Sequence, residues 1–84
     1  MRLVANVPHP VCKISIFSYN EKWIIEIEGG QYKQTYKIGH DSVSGLDGVK
    51  SLLTTELVEG TLQRFNGMHA DFAQAFKLYN EKTS

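Results

Sequence analysis

Between Val11 and Ile38, β-branched and aromatic residues alternate with polar ones in three runs, the period of strands that bury one face. Asn20-Glu21 and Gly29-Gly30 separate the runs and both read as turns. The pattern predicts a three-stranded antiparallel β-meander with strands at about 11–19, 22–28 and 31–38. Treating each turn as a two-residue connection sets Ile14 opposite Ile27 and Ile16 opposite Ile25. In the second hairpin it sets Ile27 opposite Tyr32, Ile25 opposite Gln34 and Trp23 opposite Tyr36. Both turns select the same core face: Cys12, Ile14, Ile16, Trp23, Ile25, Ile27, Tyr32 and Tyr36, with Ile38 beyond. A slip of one residue would turn all of these to the other side. The opposite face carries Lys13 across from Glu28, Glu26 across from Lys33, and Phe17 across from Ile24, with Tyr19 nearby. Charge pairs of that sign stabilise an exposed sheet.

Beyond Ile38 the period lengthens. Gly39 to Gly45 is rich in turn residues, and Ser44 three positions before Asp47 resembles a capping box, which predicts a helix start. At 100° per residue, Leu57, Val58, Leu62, Phe65, Met68, Phe72, Ala73, Ala75, Phe76 and Tyr79 fall within an arc of about 160°. Leu46, Val49, Leu52 and Leu53 fall on the other side of that wheel, so one straight helix would carry two opposed apolar faces. A break at Thr54-Thr55, where a threonine can cap, resolves the conflict; Gly60 is the competing break. The expected fold is α+β: the meander, a short helix at about 45–53, and a longer amphipathic helix at about 56–80 packed on one sheet face. The aromatics of the long helix read as core. The short helix either covers the second sheet face or leaves it open to a partner. Pro8-His9-Pro10 excludes helix in that stretch, so residues 1–10 read as an extended N-terminal arm with the ordered part starting after it. Residues 81–84 read as a frayed tail. The whole of 1–84 reads as a single domain.

Charge narrows the functions available. Nine Lys and Arg balance nine Asp and Glu, so no net field draws in a polyphosphate or an anionic membrane. The single cysteine, Cys12, permits no internal disulfide, and a small chain without such staples fits a reducing compartment; the expected location is cytoplasmic. The N-terminal apolar run is too short for an export signal, and no stretch reaches the roughly 20 apolar residues of a membrane span.

Candidate chemistry is sparse. His9, His40 and His69 with Cys12 lack the spacing of a zinc site, and neither a metal nor a cofactor is expected. A Cys12–His40 nucleophile pair oriented by Asp41 is the best enzyme hypothesis, a small Cys-dependent enzyme or redox protein. Lys13, Phe17, Lys33 and Lys37 on the outer sheet face offer stacking and phosphate contacts, but Glu26 and Glu28 in the middle of that face oppose a nucleic acid. The favoured reading is a small non-catalytic protein–protein interaction module: a regulator, inhibitor or accessory subunit that binds a larger protein or itself. Phe17, Tyr19 and Ile24 are the expected apolar anchors, with Lys13, Glu26, Glu28 and Lys33 as the polar rim.

Overall fold

A computed structural model describes residues 1–83. Four antiparallel strands, β1 (Arg2–Val7), β2 (Lys13–Tyr19), β3 (Lys22–Gly29) and β4 (Tyr32–Gly39), lie in the sheet in chain order. One 3-10 turn at His40–Ser42 leads to α1 (Gly45–Ser51) and then α2 (Thr55–Thr83). The α+β class and the meander stand, with one more strand than the sequence pattern predicts. The segment expected as an N-terminal arm is extended, but it pairs with β2 along its length, so the sheet begins before Pro8-His9-Pro10. Those prolines form the connection between β1 and β2. A short run, Leu3-Val4-Ala5, with a shift of register at Val4, hides its alternation from a reading of period two.

The β2–β3 register is the expected one, with Ile14 opposite Ile27 and Ile16 opposite Ile25. Its turn is set by Asn20 and Glu21, both in the left-handed region at φ of 53° and 61°. A two-residue turn of this hand matches the twist of the strands, but asparagine and glycine tolerate it and glutamate is strained. Glu21→Gly should therefore stabilise the fold by about 0.5–1 kcal/mol, seen as a rise in thermal midpoint of a few degrees. A fall would show that the Glu21 side chain contributes more than its backbone strain.

The second hairpin differs. Gly29 pairs with Tyr32, so Gly30 (φ 60°) and Gln31 make the turn, and Ile27 faces Gln34, Ile25 faces Tyr36 and Trp23 faces Ile38. The partners move by two positions from those expected with Gly29-Gly30 as the turn. An even shift preserves the faces, and so the core assignment survives the wrong register. Gly29 stays in the strand for a packing reason: a Cβ there would lie 3.1 Å from the Phe65 ring.

On the core face Ile16 and Ile27 are fully buried, with Ile14, Ile25, Val49, Val58 and Phe65 in the same cluster. Each such side chain contributes about 1.5–3 kcal/mol through removal from water. Leu46 and Leu53 pack against this cluster too. Thus α1 shares the core face with α2 instead of folding over the other side of the sheet, and the second face is left uncovered. The break between the helices falls where expected: the Leu57 N–H donates to Thr54 Oγ1 at 3.2 Å, making Thr54 the cap of α2. Ser44 stands at the N-cap position of α1, but its hydroxyl makes no capping bond. The helix continues through Gly60 and Gly67 to Thr83; of the expected frayed tail, Ser84 lies outside the described residues.

Candidate protein-docking surface

Length alone makes α2 overshoot the sheet. A helix of 29 residues is about 43 Å long, whereas strands of 8 residues span about 26 Å. The molecule measures 54 × 26 × 18 Å, elongated along this helix. The N-terminal half of α2 is fastened to β4 by side-chain hydrogen bonds. Arg64 Nε donates to Gln34 Oε1 at 2.9 Å, and Arg64 Nη2 donates to Tyr36 Oη and Thr61 Oγ1, each at 3.2 Å. The amide of Gln34 also bonds the Tyr36 hydroxyl and Thr61 Oγ1. Thr61 in turn donates to the Leu57 carbonyl at 2.9 Å, which satisfies a fully buried hydroxyl.

The last contact with the sheet is at the tip of the β3–β4 hairpin, where Tyr32 stacks on Phe65 and its hydroxyl lies 3.2 Å from His69 Nδ1. Beyond that point the apolar arc continues along a more exposed stretch of the helix. Met68, Phe72, Phe76 and Tyr79 are 42–60% exposed. Phe72 and Phe76 have ring centroids 5.0 Å apart, and the Phe76 and Tyr79 rings meet edge to face at 6.4 Å. Phe72, Ala75, Phe76 and Tyr79 line one shallow recess, and Tyr32, Met68, Asp71, Phe72 and Ala75 line another beside it. These aromatics, expected as core from the helical wheel, form a solvent-facing ridge. The wheel shows which side of a helix is apolar; it does not show where the sheet stops.

The outer sheet face, expected to hold the partner site, is ordered in rungs. Leu3, Phe17, Ile24 and Lys37 form one, Asn6, Ser15, Glu26 and Thr35 the next, and Lys13, Glu28 and Lys33 the third. Lys33 Nζ also lies 3.5 Å from Glu26 Oε1 on the diagonal. Tyr19 is exposed and Phe17 half-buried. Ile24 is only 6% exposed, because neighbours in its own rung flank it on both sides, so it cannot serve as an exposed anchor. Of the expected anchors, Tyr19 and Phe17 remain reachable. The third rung alternates in sign, so it presents no continuous positive track to a phosphate backbone.

The proposed Cys–His pair is not assembled. His40 Nε2 is 3.3 Å from Ser18 Oγ, and the His40 ring is 4.7 Å from Trp23. Cys12 lies six residues away from Ser18 along the chain, about 20 Å in an extended strand. Cys12 is a free thiol packed against the isoleucine cluster, and burial pushes its pKa up. A raised pKa means less thiolate at neutral pH. Alkylation of Cys12 in the folded protein should accordingly run several-fold slower than in the denatured chain, followed by mass spectrometry; equal rates would show the thiol to be open and unperturbed. Among the described residues, no three His, Cys, Asp or Glu side chains gather as a metal site, and no helix is long and apolar enough to cross a membrane.

Comparison with protein-family models, curated proteins and solved structures finds no match. The functional reading therefore rests on this geometry. Its most telling feature is the aromatic ridge, which the amphipathic pattern contained but assigned to the interior.

Proposed function

We propose that this protein is a small non-catalytic interaction module of the cytoplasm, a regulator, inhibitor or accessory subunit whose docking element is the projecting half of α2. The observation that carries this reading is the ridge of Phe72, Phe76 and Tyr79 standing clear of the sheet. Aromatics at i, i+4 and i+7 are the anchors by which an amphipathic helix seats in an apolar groove or pairs with another helix. Large exposed apolar features of this kind are characteristic of partner sites, and aromatic side chains supply most of the binding free energy there. The sheet acts as the platform that holds the helix, through the Arg64, Gln34, Tyr36 and Thr61 bonds. The mechanism is occlusion or scaffolding, without bond chemistry.

A second contact surface is the outer sheet face, supported by the exposure of Tyr19 and Leu3 at 56% and 51%. There Phe17 and Tyr19 would be the anchors and Lys13, Glu26, Glu28 and Lys33 the rim that fixes register. The two surfaces are separable by variant. Capture of a partner from native lysate should be lost with Phe72→Gln/Phe76→Gln and kept with Phe17→Glu/Tyr19→Glu. The reverse pattern would move the site to the sheet. Capture unchanged by either variant would overturn both.

A further inference from the structure

Resting on that reading of the ridge, we propose that its partner is a second copy of this chain, paired antiparallel through the projecting halves of α2 about a two-fold axis beside Phe76. Three features of the helix select this arrangement. The first is spacing: Phe65, Phe72 and Tyr79 recur at seven residues, with Phe76 four after Phe72 and three before Tyr79, the seam of a helix that packs on another helix. The second is steric. The sheet lies on the same face of α2 as the ridge, so a parallel pair would force both sheets into one volume. An antiparallel pair sends them to opposite ends, and the hairpin tip at Tyr32 and His69 stops each helix from sliding further onto its neighbour's sheet.

The third is charge. Asp71 and Lys82 are eleven residues apart, which places them about 20° from each other on the wheel and on one flank of the ridge. A two-fold axis perpendicular to an antiparallel pair keeps that flank on one side, so positions whose numbers sum to about 153 face each other. Asp71 then lies opposite Lys82 of the second copy, twice per dimer by symmetry. The same register sets Phe76 against its own counterpart and Phe72 beside Tyr79 of the second copy. Lys77 and Glu81 point to the back of the helix and take no part. The charge pairing places the axis, and it brings no like charges together on that flank.

Sedimentation equilibrium of the full chain tests this. The wild type should approach twice the chain mass, and Phe76→Gln should return it to the monomer. Asp71→Lys or Lys82→Glu alone should weaken the dimer roughly 3- to 10-fold at low salt, and the double exchange Asp71→Lys/Lys82→Glu should restore it. Restoration is the decisive result, since only direct apposition of the two positions gives it. A wild type that stays monomeric to ~1 mM overturns the second copy as partner, as does a double exchange no stronger than the singles. If the monomeric wild type still captures a protein from lysate and Phe72→Gln/Phe76→Gln abolishes that capture, the ridge docks a different protein; if capture is unchanged, the docking reading falls as well.

Discussion

Ile27→Ala is expected to lower the thermal midpoint by roughly 10 °C or more and to leave a substantial unfolded fraction at 37 °C. Ile27 is fully buried in the central strand β3, paired with Ile14 on one side and Gln34 on the other. Removing its side-chain methylenes loses their transfer free energy and leaves a cavity that the sheet cannot close, at a cost of about 2–5 kcal/mol. A chain of this length has about 4–13 kcal/mol in total, so one such loss is a large fraction of it. Each kcal/mol moves the midpoint of so small a fold by about 4–8 °C. Differential scanning calorimetry reads the shift directly. A change below about 1 kcal/mol would mean that the cluster under α1 and α2 is loose enough to collapse around a void, contrary to the packing seen.

Phe72→Gln/Phe76→Gln is expected to do the opposite: to abolish partner binding by 100-fold or more while leaving stability almost unchanged. Both rings are about half exposed, at 46% and 53%, and touch each other, and neither belongs to the buried core cluster. Their loss removes no core contact, and glutamine is a slightly better helix former than phenylalanine, so the midpoint, compared at chain concentrations below those at which copies pair, should move within the usual surface range of about 0.5 kcal/mol. In an interface the same rings would be central anchors, and truncating such residues costs about 2 kcal/mol or more each, though not additively. Calorimetry and binding are measured on one preparation. A drop in stability like that of Ile27→Ala would show the ridge to be buried in the folded protein, and would remove the docking element.

The contrast between these two variants marks where the sequence could be read and where it could not. Ile27 and Phe76 both lie on the apolar side of their elements, and hydrophobic pattern treats them alike. For Ile27 the pattern sufficed, because a strand of period two within a meander has neighbours on both sides and only one face on which to bury its isoleucines. Even the incorrect β3–β4 register left that face intact. For Phe76 the pattern predicted burial and the ring is 53% exposed, since burial requires a surface opposite as well as an apolar side chain. That surface ends at Tyr32. The strand β1 was missed for a related reason: its pairing with β2 is made by backbone groups and carries little signal in six residues interrupted at Val4.

The sequence by itself determined the class, the core face of the meander, the β2–β3 register and the break before α2. These depend on local periodicity, turn residues and a capping threonine, which act over a few neighbouring positions. The tertiary structure alone decided that β1 completes the sheet, that α1 shares the core face with α2, and that Cys12 and His40 lie far apart. It also decided that Ile24 is hidden within its rung while Phe72 and Phe76 stand in solvent. Each of those outcomes depends on what lies across space from a residue, and on the plain fact that a 29-residue helix is longer than the sheet it rests on.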